Sequence, residues 1–334
     1  MNIIVPMAGM GKRMRPHTLT VPKPLIPVAG KTIVRRLVED IANMASEPIE
    51  NIAFVVGHFG ESVEKELLGI AAALGARGSI HYQEEALGTA HAILCAQEHL
   101  KGKVVVAFAD TLFRAEFELD DENDGVLFVQ KIDDPRQFGV VQLDEQGHIV
   151  DFIEKPQEFI SDLAMIGIYY FKDGEKLKSE LNFLIENNVI KGGEYQLPDA
   201  LLNMTKKGLK FSVGKVNDWM DCGNKNATVE TNKRVLGYIA AELTQHNNDH
   251  FKSSTIIQPC YIGNNVKISN SVVGPYVSIG DSSEIRNSVV QNSIVQNHSL
   301  ITNKVIANSM IGNHVSIQGK ATDLSIGDYS TIEE

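Results

Sequence analysis

"MNIIVPMAGMGKRMRPHT", residues 1 to 18, sets an apolar run from Asn2 to Met7 against a turn carrying Gly9 and Gly11. Such a run fits a buried strand that stops where glycine lets the backbone turn. The charges that follow do not match the rest of the chain. Between Met1 and Val38 stand Lys12, Arg13, Arg15, Lys23, Lys31, Arg35 and Arg36 with no Asp or Glu, although the 334-residue chain carries a formal net charge of -11. Beyond Val38, 24 basic residues face 42 acidic ones. A local well of positive charge beside a flexible turn is what an anionic ligand requires in an otherwise acidic protein.

Outward from this stretch, strand-like and helix-like patterns alternate. Ile33, Val34, Leu37, Val38 and Ile41 follow helical spacing from Thr32 to Met44. Strands at 52–56 and 80–83 and helices at 61–74 and 89–99 continue the pattern, and "KVVVAFA" (103–109) is a β-branched run that stops at Asp110. Alternation of this kind predicts an α/β fold, a mainly parallel Rossmann-like sheet with helices on both faces. "GVLFVQ", "FGVVQL", "HIVDFIE" and "MIGIYYF" add strands, and helices are expected at 176–187, 195–206 and 226–245.

After the polar stretch 246–254, read as a linker, the period changes. Ile262, Ile268, Val273, Ile279, Ile285, Val290, Val295, Ile301, Ile306, Ile311 and Ile317 recur in steps of five or six. Two places after each of the first ten stands Asn, Asp or Pro. A helix would need a 3.6 period and would not accept turn formers so often. The pattern fits a triangular parallel β-helix over 255–334 and resembles the hexapeptide-repeat, left-handed class. The predicted domains are therefore 1–245, the linker and the β-helix.

Composition bounds the function. With 43% hydrophobic and 22% charged residues the chain reads as globular, and its length suits two domains. No apolar run reaches the ~18 residues of a membrane span, and the N-terminus lacks a leader-like pattern, so a cytoplasmic location is expected. Cys95, Cys222 and Cys260 lack metal-site or disulfide spacing. The acidic balance argues against nucleic acid or anionic membrane as partner.

No Walker loop occurs, and "GMGKRM" places Met14 where a dinucleotide fingerprint needs its third glycine. A lone G-x-G beside cations reads first as a solvated surface turn. "VPKPL" tips that reading, because the prolines around Lys23 present its ammonium stiffly. "AGMGKRMRPHT" with "PKPL" resembles the signature of sugar-1-phosphate nucleotidyltransferases, and "YQEEALGTAHA", "FAD", "FGVV", "EKP", "EYQLPDAL" and "WMDCGN" follow in that family's order, over about residues 1–235. The β-helix also occurs in that family.

The resemblance implies a nucleotide site of Ala8, Gly9, Gly11, Lys12, Arg13, Gln83, Gly88 and Thr89, with Arg13 on the triphosphate, Lys23 nearer the α-phosphate and Gln83 with Gly88 on the base. It implies Gly139, Glu154, Gly167 and Glu194 around the sugar, Lys155 on the sugar phosphate, and Asp110 with Asp221 holding Mg²⁺. The implied catalytic set is Arg13, Lys23, Asp110, Lys155 and Asp221. Lys12, Pro198 and Asn224 depart from the family's pattern, each standing where a hydroxyl residue is usual. The implied reaction joins an NTP and a sugar 1-phosphate into an NDP-sugar and pyrophosphate. "LGTAHA" resembles the loops of thymidylyl- and uridylyltransferases, so dTTP or UTP with glucose 1-phosphate is the leading substrate pair.

Each residue also has a plainer reading. Alone, Asp110 is a strand-end turn residue, and Glu154 with Lys155 is a solvated surface pair. Trp219 is expected to pack beneath Asp221, and Arg35 and Arg36 to be solvated on their helix. His58, His91, His298 and His314 lack metal-ligand spacing and read as structural or surface residues. Three other functions compete: a mannose-1-phosphate guanylyltransferase, a bifunctional uridylyl/acetyltransferase with His298 or His314 as base, and a non-catalytic nucleotide-sugar-binding subunit. The β-helix is expected to serve homo-oligomer assembly.

Overall fold

The computed structural model describes residues 1–115, 123–136, 138–243, 251, 253–320 and 324–331. They form two compact units, Met1–Ile26 with Lys31–Ala227, and Pro27–Gly30 with Thr228–Glu334. No helix among the described residues is long and apolar enough to cross a membrane.

The first unit is an α/β sandwich. Strand β1 (Asn2–Pro6) is buried along its whole length. Short strand β2 (Pro27–Val28) lies in the segment assigned to the second unit, and β3 (Lys31–Thr32) precedes α1 (Ile33–Met44), which buries its Ile33, Val34, Leu37, Val38 and Ile41 stripe. The chain continues through β4 (Asn51–Val56), α2 (Glu61–Ala73), β5 (Arg77–Tyr82), α3 (Thr89–Leu94) and β6 (Val104–Ala107). β6, β1, β4 and β5 are adjacent and parallel, and the Val/Ile-rich runs of β1, β4 and β6 suit strands covered on both faces.

Beyond β6 lie β7 (Thr111–Arg114), β8 (Gly125–Lys131), β9 (Gly139–Leu143), β10 (Ile149–Glu154) and the long β11 (Leu163–Phe171). β11 is antiparallel to β6, β8 and β9, so the sheet is parallel on one side and mainly antiparallel on the other, in the order β10-β9-β11-β6-β1-β4-β5. Helices α4 (Gly174–Glu186) and α5 (Leu197–Lys206) pack on the sheet through Leu177, Leu181, Leu184, Leu197 and Leu201. β12 (Phe211–Lys215) joins β8, and β13 (Asp218–Asp221) pairs with β7 in a separate ribbon.

Three departures from the sequence expectation have local causes. The helix expected over 89–99 ends at Leu94 and is followed by a 3₁₀ turn at Gln97–His99. β7, β12 and β13 were not anticipated, because each is four or five residues long and polar at several positions. α6 (Lys225–Tyr238) stops short of 245, and residues 246–250 and 252 of the expected linker lie outside the described residues.

In the second unit, two- and three-residue strands form three four-stranded parallel sheets, the faces of a left-handed β-helix. Coils repeat every 16 or 17 residues, as the ladders Asn270–Asn287–Asn303 and Asn292–Asn308 record in their side-chain hydrogen bonds of 2.7–3.2 Å. Ile268, Val273, Ile279, Ile285, Val290, Val295 and Ile301 fill the interior. Asn270, Asn287, Asn292, Asn303 and Asn308 take positive φ and turn corners themselves. At the other corners the turn former is followed by the left-handed residue, namely Asn265, Tyr276, Ser282, His298 or His314. Asn tolerates that conformation because its short side chain bonds locally. Within this unit, buried Asn232 accepts hydrogen bonds from Ala29 N–H (2.9 Å) and Ser278 Oγ (2.7 Å).

Candidate active site

Because β1, β4, β5 and β6 run parallel, their carboxyl ends open on one edge of the sheet, where open α/β folds bind ligands. From β1 the chain enters the glycine turn, from β5 it reaches Gln83, and from β6 it reaches Asp110. These segments and the Lys23 turn enclose a cavity of about 550 Å³. Ala8, Gly9, Gly11, Lys12, Arg13, Lys23, Gln83, Gly88, Thr89, Asp110 and Glu194 all line it, and so do Met10, Phe108 and Gly223.

Local chemistry explains each placement. Gly11 has φ +56°, and a Cβ there would stand 3.0 Å from Lys23 Cβ and 3.1 Å from Thr18, so glycine lets the two turns approach. Thr18 Oγ1 donates to Gly11 O at 2.8 Å and closes the turn. Lys23 occupies the 3₁₀ turn Lys23–Leu25 and is 8% exposed, yet its Nζ lies 3.2 Å from Asp110 Oδ2. A buried ammonium needs such a partner.

The loop after β5 is held from both sides. Gln83 Nε2 donates to Gly88 O (3.1 Å) and lies 3.3 Å from His91 Nδ1. Tyr195 N–H donates to Leu87 O (2.8 Å), Ala90 N–H to Tyr195 O (3.0 Å), and Leu197 N–H to Thr89 Oγ1 (2.9 Å). The "LGTAHA" and "EYQLPDAL" segments are thus sewn together, which brings Glu194 beside Gly88. Gly88 has φ +110°, and a Cβ would stand 2.5 Å from Tyr195 O.

Asp221 arrives through the β7–β13 ribbon. Its register partner is Thr111, and Cys222 N–H donates to Asp110 O at 3.1 Å, so two carboxylates far apart in sequence become neighbours. Gly223 N–H caps Asp221 Oδ1 at 2.8 Å. Burial holds the Asp221 carboxyl above the ordinary range, and the Asp110 charge adds to this, against the Gly223 N–H, Lys23 and Arg13. Trp219 donates to Thr111 Oγ1 and meets Phe138 edge-on, with ring centroids 4.9 Å apart, so it braces the ribbon that carries Asp221.

Gly139, Glu154, Lys155 and Gly167 are not among the cavity's lining residues. Lys155 N–H donates to Phe138 O (3.1 Å), and Glu154 Oε2 sits 2.8 Å from where a Cβ on Gly139 would be. Lys155 has φ +46°, a strained position for a side-chain-bearing residue, and its Nζ lies 3.5 Å from Glu154 Oε1. Gly167 O accepts from Phe108 N–H (2.9 Å). Burial, with the Glu154 and Asp110 charges adding, holds the Tyr169 hydroxyl well above its usual range and thus protonated.

Sequence reasoning missed Met10, which is 63% exposed at the cavity, and Phe108 and Gly223. The "DCG" step after β13 was the available signal for Gly223, since an Asp two residues before a glycine commonly accepts its N–H. Of the remaining residues, Arg35 pairs with Glu39 at 2.9 Å, and His58 stacks on Tyr82 and pairs with Glu84 at 2.7 Å. His298 and His314 stack in parallel, 4.9 Å apart, at neighbouring corners of the β-helix.

Comparison with known proteins fits this geometry. The chain is 28% identical over 321 residues to the glucose-1-phosphate thymidylyltransferase of Streptomyces antibioticus, covering 88% of this chain and 87% of that one. It is 32% identical over 267 residues to the bifunctional protein GlmU of Methanococcus maripaludis strain C5, covering 77% of this chain and 60% of that relative. A solved nucleoside-diphosphate-sugar pyrophosphorylase from Vibrio cholerae RC9 shares the fold, with TM-score 0.59, 21% identity and coverage of 69% of this chain and 99% of that one. The model of the nucleotidyl transferase family matches residues 2–237, nearly all of the first unit and all but the last residue of α6, and the chain belongs to that family.

Proposed function

We propose that the protein makes an NDP-sugar and pyrophosphate from a sugar 1-phosphate and an NTP, with glucose 1-phosphate and dTTP or UTP as the substrate pair. The observation that carries this reading is the cavity in which the glycine turn, the Lys23–Asp110 pair at 3.2 Å and the Gln83–Gly88 loop meet. Residues 1–245 are assigned to catalysis and 255–334 to the β-helix.

The nucleophile, a sugar-phosphate oxygen, is already ionised, so the chemistry requires no general base. The barrier lies in bringing two anions together and in the charge that develops on departing pyrophosphate. Arg13 and the N–H groups of Gly9 and Gly11 embrace the triphosphate with Ala8 and Lys12, and Lys23 stands nearer the α-phosphate. Gln83 and Gly88 read the base and Thr89 adjoins the nucleoside. Gly139, Glu154, Gly167 and Glu194 line the sugar, while Lys155 holds its phosphate for in-line attack.

Asp110 and Asp221 are the proposed Mg²⁺ ligands. Two carboxylate donors suit a hard cation that keeps phosphate oxygens and waters as its other ligands. A divalent cation would also relieve the burial and mutual repulsion that raise Asp221. When bound, Mg²⁺ supplies positive charge at the phosphates.

Incubation of the full chain with Mg²⁺, each NTP and a panel of sugar 1-phosphates tests the proposal. Pyrophosphate release with dTTP or UTP and glucose 1-phosphate is the expected outcome. Release with GTP and mannose 1-phosphate alone would replace the substrate pair, and no release with any pair would refute the reaction. The GlmU likeness raises acetyl transfer as a second activity, tested by acetyl-CoA consumption. Assembly through the β-helix is proposed from its exposed Val289 and Val305.

A further inference from the structure

Away from the cavity, two histidines far apart in sequence turn the same ring atom toward one point. His81 sits on the edge strand β5 and His99 ends the 3₁₀ turn Gln97–His99. Ser79 Oγ is 2.9 Å from His81 Nε2 and 3.0 Å from His99 Nε2. The rings meet edge-on at 5.2 Å, and Glu98 Oε1 lies 3.4 Å from His99 Nε2. The donor atoms of His81, Glu98 and His99 all fall within 4.8 Å of one another, the only such group of three among the described residues.

From this convergence we infer a transition-metal site, of the zinc class, with His81, His99 and Glu98 as protein ligands and water in the fourth position. Its donor set separates it from the Asp110–Asp221 pair. Imidazole nitrogens suit Zn²⁺, whereas oxygen-only sites suit Mg²⁺. A tetrahedron with bonds of about 2.0–2.1 Å has edges near 3.4 Å, so small side-chain rotations bring these donors into place. Ser79 fits as the group that fills the point of convergence without metal. Its hydroxyl has one proton to donate and leaves the other imidazole nitrogen to donate back.

The supporting frame is fixed. Asn2 Nδ2 donates to His99 O (3.0 Å) and Lys101 O (3.3 Å), and Asn51 Nδ2 in turn holds Asn2 Oδ1 at 2.8 Å. β5 is registered on β4 through Val55 and His81. Ser79, His81 and Gln83 alternate along one face of the strand end, and Gln83 meets His91 on α3. A metal here ties β5 to the turn after α3 and so clamps the base of the segment that carries Gln83, Gly88 and Thr89. The metal site itself does not depend on the proposed substrates.

The test uses the metal-stripped full chain. Titration with Co²⁺, read by visible absorption, is expected to show one equivalent with the intense bands of a tetrahedral site, displaced by Zn²⁺. Zn²⁺ affinity by calorimetry is expected to fall at least ~100-fold in His81→Ala and His99→Ala and by roughly tenfold in Glu98→Gln, while Asp110→Asn keeps the signal. His99→Gln, which preserves bulk, guards against loss through misfolding, with circular dichroism as the control. A wild-type chain that binds no more Co²⁺ or Zn²⁺ than the His variants would overturn the site. So would a tetrahedral signal that persists in both.

Discussion

If Asp110 and Asp221 hold the metal as proposed, both carboxylates serve the reaction, while burial makes Asp221 a cost to the free protein. Each substitution to Asn is expected to lower kcat by a factor corresponding to about 2.7–4 kcal/mol while the fold persists, as steady-state kinetics and circular dichroism will report. Stability should move the other way for Asp221. Its folded-state pKa is raised, so its contribution is fully present below the ordinary carboxylate range and is lost as pH rises through the raised value. Asp221→Asn is therefore expected to melt at a higher temperature than wild type at pH 8 in EDTA, and the gap should close with acidification. Mg²⁺ should raise the melting temperature of wild type more than that of the variant.

Asp40 on α1 offers a second test of the same logic. Burial pushes its pKa from 3.8 to about 6, with Glu39 adding and Arg36, Arg114 and Lys31 opposing. The stabilising protonated form is complete below 3.8 and is lost as pH passes 6. Asp40→Asn should therefore gain stability over wild type with rising pH, reaching of order 3 kcal/mol above pH 7 in urea unfolding. A gain that is the same at pH 4 and pH 8 would contradict this.

At the scale of the element, the loop between β5 and α3 depends on a backbone conformation that only glycine adopts cheaply. A Cβ at Gly88 meets Tyr195 O at 2.5 Å with φ at +110°. Gly88→Ala should cost about 1–3 kcal/mol of local strain and raise the KM for NTP roughly tenfold, with a smaller change in kcat. An unchanged KM would detach this loop from nucleotide binding. The same element shows where sequence reading stopped. The apolar pattern over 89–99 predicted one helix, whereas α3 ends at Leu94 and the chain re-enters a 3₁₀ turn that places His99 opposite His81. Period alone did not locate that break, because Ala90, Ala92, Ile93, Ala96 and Leu100 are buried on both sides of it.

For the whole molecule, the β-helix presents Val289 (39% exposed) and Val305 (81% exposed) on one face. If this face joins subunits, Val289→Glu with Val305→Glu should reduce the molecular mass seen by light scattering, with turnover per chain retained. An unchanged mass would remove the face from assembly.

The sequence by itself determined the strand-and-helix alternation, the coil period of the β-helix and the nomination of the glycine turn, Lys23 and Asp110. Those features are local: side-chain periodicity, turn chemistry and residue order are written along a few consecutive positions. Tertiary structure decided the antiparallel half of the sheet, the β7–β13 ribbon that sets Asp221 beside Asp110, and the meeting of His81 with His99. Those contacts join distant segments by register and packing, and no period in either segment encodes its partner.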